Sequence, residues 1–196
     1  MDYQIPFLTN FTENNVNLLW IDTRNLTDFI QQKNQKHFHL PLSSKWLNWF
    51  EKLIKPEEDF YLIVENEKIG RSLIEDLRTI NYQTQCKALI TGSCLEDKNQ
   101  KDVVRNLDLF IFSKNLEKFT ILDVRNPEEV EQRKIFSSSL NIPLIALRDK
   151  IKEIPQDKPI VVHCAVGYRS AIATSILKSE LKNIEIFDLG EYIGIF

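Results

Sequence analysis

The chain has 196 residues, room for one large domain or two small ones at about 150 residues per domain. Charged residues make up 27% and apolar ones 43%, a balance that supports a packed core and excludes a disordered chain. With 25 Lys and Arg against 28 Asp and Glu, the net charge is −3, and no basic block is present, so a phosphate-tracking nucleic-acid protein is excluded. No run approaches the ~18 apolar residues of a membrane span. The opening MDYQIPFLTN lacks the basic and apolar regions of a signal peptide, so a soluble, cytoplasmic protein with no membrane partner is expected. Three cysteines, Cys86, Cys94 and Cys164, are too few for a disulfide scaffold.

One unit occurs twice along the chain. Leu18 to Asn25 (LLWIDTRN) matches Phe119 to Asn126 (FTILDVRN), placing Asp22 on Asp123 and Arg24 on Arg125. HFHLPL, ending at Leu42, matches SLNIPL, ending at Leu144. FYLIVENEKIGRSLIEDL from Phe60 matches PIVVHCAVGYRSAIATSIL from Pro159, pairing Arg71 and Ser72 with Arg169 and Ser170. ALITGS (88–93) matches IFDLGE (186–191). The matches keep their order and nearly their offset, which shared βα patterning alone does not explain.

In chain order, His37 and His39 flank Phe38 in strand-like alternation, at no metal-ligand spacing with the cysteines. Trp46, Trp49, Phe50 and Leu53 form a helical apolar stripe that belongs to a core. Phe60 to Val64 is an apolar run. Asp97 to Lys118 is polar around the single apolar run Leu107 to Phe112, and the boundary is placed there, giving domains 1–100 and 101–196. Thr120 to Leu122, Ile160 to His163 and Ile184 to Phe187 read as buried parallel strands. Asn126-Pro127-Glu128-Glu129 reads as a helix start, with a capping Asn, Pro at the first helical position and Glu at the third. Leu147, Ile151 and Ile154, then Ala173, Ile176, Leu177 and Leu181, make two further helical stripes. Strands alternating with helices predict an α/β fold in which each domain is a parallel sheet flanked by helices.

The chemical signal is VVHCAVGYRSAIA, a buried strand followed by Cys164-Ala165-Val166-Gly167-Tyr168-Arg169-Ser170 and an apolar helix. A loop leaving a strand and opening a helix turns backbone N–H groups inward, and the helix dipole adds positive potential. The thiolate of Cys164 is therefore favoured, making it a candidate nucleophile. Gly167 allows the turn, and Arg169, five residues beyond the cysteine, supplies a fixed cation. His163, as the last strand residue, is expected to face away from the loop and serve structure. Asp123 and Arg125 are expected to pin the neighbouring loop, with Arg125 also a candidate substrate contact. Tyr168 points towards whatever approaches.

These residues carry a resemblance. LDVRNPEEV (122–130), LNIPL (140–144), DKPIVVHCAVGYRSAIA (157–173) and Leu189-Gly190 resemble the rhodanese family of sulfurtransferases across nearly the whole second unit, and the first unit resembles the same fold more weakly. The resemblance implies two rhodanese-like domains. The first has Glu65 where the cysteine belongs, in a loop one residue longer, and is expected to be degenerate and inert. The second is expected to use Cys164 as nucleophile with Arg169, and Ala165, Val166, Gly167, Tyr168, Ser170 and Arg125 at the substrate. The implied reaction passes a sulfane sulfur from thiosulfate or a low-molecular-weight persulfide to a thiol or a thioredoxin-like acceptor through a Cys164 persulfide, with neither cofactor nor metal.

Departures from the family pattern are Arg133-Lys134 before Ile135, Ser137 to Ser139 in place of Gly-Ala, and Leu189-Gly190-Glu191-Tyr192 in place of two glycines and an aromatic. Positions 165, 166 and 168 carry no cation, which makes an organic persulfide at least as good a donor as thiosulfate. Cysteine phosphatases of this fold place five residues between Cys and Arg, against four here. The alternative role is an accessory module resembling the carboxyl-terminal part of fusions in which a metallo-β-lactamase-type persulfide dioxygenase precedes rhodanese domains, docking on or feeding such a partner.

Overall fold

The computed structural model describes residues 5–9, 18–30, 37–95 and 107–196. The chain divides into two compact units, Met1–Val103 and Val104–Phe196. The first holds strands β1 (Phe7–Leu8), β2 (Leu19–Asp22), β3 (His37–His39), β4 (Phe60–Val64) and β5 (Cys86–Thr91), with helices α1 (Leu26–Ile30), α2 (Trp46–Leu53) and α3 (Glu67–Thr79). Its sheet runs β1-β5-β4-β2-β3, all pairs parallel. The second holds α4 (Leu109–Lys114), β6 (Thr120–Asp123), α5 (Pro127–Gln132), β7 (Leu140–Asn141), α6 (Leu147–Lys150), β8 (Ile160–His163), α7 (Tyr168–Glu180) and β9 (Ile186–Asp188), and its parallel sheet runs β7-β6-β8-β9. The α/β architecture with helix-flanked parallel sheets is as the sequence predicts.

Every residue of β4 and of β8 is buried, as a central parallel strand covered on both faces requires. Beyond the strand ends the two units repeat the same backbone bonds. Thr23 N–H donates to Ile63 C=O at 3.0 Å and Val124 N–H to His163 C=O at 3.0 Å; Leu42 N–H donates to Thr23 C=O and Leu144 N–H to Val124 C=O, both at 3.2 Å. Asp22 is in register with Ile63, and Asp123 with His163.

This register corrects the sequence alignment by one residue. The residue after Ile63 is Val64, so buried Val64, and not Glu65, occupies the place of Cys164. Glu65 is exposed in the turn before α3. Arg71 is likewise no counterpart of Arg169: it lies in the second turn of α3, where it donates to Ile5 C=O at 2.6 Å and to Glu67 at 2.9 Å. The misalignment has a simple source, since two residues separate Val64 from α3 while three separate Cys164 from α7.

In the second unit fully buried Phe112 meets Phe119, Phe136 and Phe196 at ring distances of 5.3, 5.7 and 5.6 Å. Two further expectations are refined. The stripe Leu147–Ile151–Ile154 forms one short α-helical turn followed by a 3-10 turn, with Leu147 and Ile154 buried. The last strand starts at Ile186, two residues later than the apolar run suggests. In α2, Trp46, Phe50 and Leu53 are buried as expected, and Trp49 is half-buried with the Lys52 ammonium 5.8 Å from its ring.

His37 in β3 stacks on Trp20 at 5.0 Å, and neither ring nitrogen has a hydrogen-bond partner among the described residues. Burial lowers its pKa to about 4. The folded state thus prefers the neutral ring, so stability is fully present above the unfolded value near 6.5 and is lost as the pH falls from there to about 4. That window corresponds to a loss on the order of 3 kcal/mol. All three tryptophans, Trp20, Trp46 and Trp49, lie in this unit, so urea unfolding followed by tryptophan fluorescence is expected to lose stability across this window, and His37→Phe to flatten the dependence.

Candidate active site

β8 ends at His163, and Cys164 begins the turn into α7. The thiol is buried, at 1% exposure. Gly167 N–H donates to Cys164 Sγ at 3.1 Å, the thiol lies 3.7 Å from Ser170 Oγ, and the Ser170 hydroxyl donates to Gly167 C=O at 2.9 Å. Cys164, Gly167 and Ser170 are therefore brought together in one closed turn. Gly167 adopts φ +99°, and a Cβ on it would come within 3.2 Å of the Gly190 carbonyl carbon. Both conformation and space demand glycine here. Ala165 and Val166 are exposed, Val166 by 74%, at the mouth of the turn, while Tyr168 is half-buried at the start of α7.

Arg169 does not stand open in the turn. Its Nη1 and Nη2 donate to Glu129 Oε2 and Oε1 at 2.6 and 2.7 Å, a bidentate pair between α7 and α5. Glu129 is the helix-start residue of the sequence reading, and its Oε2 also accepts the Asn126 N–H at 3.1 Å. The arginine, helped by this backbone bond, lowers the Glu129 carboxyl to about 2, and the carboxylate in turn raises the Arg169 pKa. Arg169 also interacts electrostatically with Cys164.

Arg125 is buried and paired with Asp123, its Nη2 reaching Oδ2 at 2.6 Å and Arg133 C=O at 3.0 Å. Asn141 Nδ2 donates to the carbonyls of Asp123 and Arg125 at 2.9 and 3.0 Å, closing the bracket from β7. His163 lies edge-on to Phe136 at 5.1 Å and 3.7 Å from Asp123 Oδ2; burial lowers its pKa. Asp188, at the end of β9, accepts the Gly190 N–H at 2.9 Å; burial raises its pKa against the pull of the Ser170 hydroxyl and that N–H.

Sequence reasoning missed Glu129 and Asp188 as members of the site. Glu129 carried a signal, an acidic residue on the helix that follows the Asp-x-Arg strand end, but its capping role accounted for it in full. Cys86 is buried, with its thiol pushed up to about 12, and Cys94 lies 3.0 Å from Thr91 Oγ1; all three cysteines are free. Among the described residues no group of three His, Cys, Asp or Glu converges as a metal site, and no helix is long and apolar enough to cross a membrane.

Residues 111–191 match the family model described as Rhodanese-like domain. The second unit carries a rhodanese-like domain. Over 79 residues the chain is 33% identical to the uncharacterized protein YqhL of Bacillus subtilis, covering 40% of this chain and 62% of that protein. Over 142 residues it is 25% identical to the tRNA sulfurtransferase of Haemophilus ducreyi, covering 70% of this chain and 26% of that protein. The chain thus spans less than two thirds of the length of these two curated relatives. Among solved structures, a rhodanese-related protein from Thermoplasma volcanium is 38% identical, covering 43% of this chain and 81% of that one, with a TM-score of 0.37.

Because the turn depends on Gly167, Gly167→Ala is expected to cost at least about 1 kcal/mol and to draw the amide away from Cys164 Sγ. Thermal unfolding checks the first effect, and the alkylation rate of Cys164 against a folded control checks the second.

Proposed function

We propose that the chain is a sulfurtransferase whose rhodanese-like domain carries sulfur on Cys164. The observation that supports this best is the Gly167 N–H aimed at Cys164 Sγ from the head of α7, a donor placed where negative charge on sulfur must be held. In the forward step the Cys164 thiolate attacks the sulfane sulfur of a donor. The donor's S–S bond breaks, its electron pair leaves on the remainder (sulfite from thiosulfate, a thiolate from a persulfide), and Cys164 becomes a persulfide. A thiol or a thioredoxin-like protein then attacks the outer sulfur and restores the thiolate. No net oxidation occurs in either step.

Gly167 and Ser170 line the sulfur, Arg169, paired with Glu129, braces the turn against α5, Ala165, Val166 and Tyr168 meet the incoming molecule, and Arg125, locked to Asp123, positions the neighbouring loop. The first unit is the degenerate copy in this reading, with Val64 in the nucleophile's place. That same feature favours a second reading, in which the paired units form an accessory module that docks on or feeds a persulfide dioxygenase. The cytoplasm is the proposed location.

Intact mass before and after treatment with thiosulfate, and separately with glutathione persulfide, tests the proposal. A gain of about 32 Da that a thiol reverses and that Cys164→Ser lacks is expected. Folded protein with a reactive Cys164 and no adduct from either donor overturns the sulfurtransferase reading and leaves the accessory one.

A further inference from the structure

The turn around Cys164 would bind an anionic donor only as well as its cations allow, and the structure pairs two arginines of the site, Arg169 and Arg125, with carboxylates. Arg169 is met by the Glu129 carboxylate through two bonds of 2.6 and 2.7 Å. Arg125 is met by Asp123, with Nε at 2.9 and 3.1 Å from the two carboxylate oxygens and Nη2 at 2.6 Å. Two arginines against two carboxylates cancel, so adding the Cys164 thiolate leaves this group of side chains negative. The tip of the turn, Ala165-Val166-Gly167, is uncharged, and Val166 is 74% exposed. Glu129 stays ionised at any ordinary pH, its carboxyl being lowered to about 2 by Arg169, so mild acid does not free the arginine.

Resting on the sulfurtransferase reading, we propose that Glu129 is a specificity-determining residue that neutralises Arg169 and turns the Cys164 site away from thiosulfate, making an organic persulfide the donor. Thiosulfate brings a dianion whose sulfonate oxygens must sit within a few ångströms of the thiolate, where like charges repel. In an organic persulfide R–S–SH the atom bonded to the sulfane sulfur is a thioether-like sulfur on an uncharged carbon, and any tail charge lies several bonds away. Attack by the Cys164 thiolate forms the new S–S bond, breaks the donor's S–S bond and releases R–S⁻, which takes up the proton of the sulfane sulfur's SH group. The leaving thiolate carries one negative charge where sulfite carries two.

The test compares kcat/KM for thiosulfate and for glutathione persulfide, with a common thiol acceptor, in the wild type, Glu129→Gln and Glu129→Asp. The wild type is expected to favour glutathione persulfide at least tenfold. Glu129→Gln, which releases Arg169, is expected to raise kcat/KM for thiosulfate about tenfold, chiefly through a lower KM, and so to shift the donor ratio towards thiosulfate. Glu129→Asp, which keeps the carboxylate, is expected to retain the wild-type donor ratio. If Glu129→Gln lowers both donors alike, Glu129 is a structural brace and the inference falls. If Glu129→Gln does not fold, the wild-type ratio decides: thiosulfate equal to or better than glutathione persulfide overturns the inference. Failure of Cys164 to take sulfur from either donor, seen by mass, sinks the sulfurtransferase reading instead, so the two failures are distinguishable.

Discussion

The bidentate pair between Arg169 and Glu129 is the constraint on which the charge of the second unit's cysteine turn depends. It joins the first turn of α7 to α5, two segments separated by 40 residues. Side-chain exposures of 16% for Arg169 and 35% for Glu129 place it at the edge of solvent, where an ion pair contributes little to folding stability. Its consequence is electrostatic. Paired in this way Arg169 is a neutral strut and not an open anion receptor, and the donor that reaches Cys164 Sγ is the Gly167 amide.

The second constraint is repeated. Asp22 and Arg24 make the same tight pair as Asp123 and Arg125, with Nη2–Oδ2 distances of 2.6 Å in both. In the first unit His39 Nε2 lies 3.1 Å from Arg24 C=O, where Asn141 Nδ2 meets Arg125 C=O at 3.0 Å in the second. A bracket kept intact in a unit whose strand ends in Val64 has no nucleophile to serve, so its common task is to hold the loop that leaves the first central strand. That comparison is the strongest support for the positioning role proposed for Arg125, since both its guanidinium and its burial match those of a structural element.

Much of this was legible from the residues alone. Buried strands such as Ile160–His163 announce themselves as β-branched runs, and Asn-Pro-x-Glu announces the start of α5, because both signals are local. The Cys164 turn was legible for the same reason, its glycine being demanded by a backbone conformation. What escaped was set by contacts between distant segments. Glu129 shows one local bond, to Asn126, and one that exists only after α5 and α7 pack. The place of Val64 was hidden because letters align Arg71 with Arg169, whereas hydrogen-bond register, which decides what occupies a strand end, is a property of the sheet.

The two units also use the same feature, a helix beginning just beyond a central strand, in opposite ways. In the first, Asn66 caps α3 by accepting the Ile69 N–H on its own side chain at 3.0 Å, so the positive end of the helix is satisfied by a residue of the chain. In the second, the capping position is Gly167, which has no side chain to offer, and its N–H is turned onto Cys164 Sγ instead. One residue more in the loop and the exchange of an asparagine for a glycine at positive φ thus convert a closed helix end into one that faces a sulfur atom. Where the first unit uses its capping side chain to satisfy its own helix end, the second uses its capping amide to meet the sulfur at the end of the central strand.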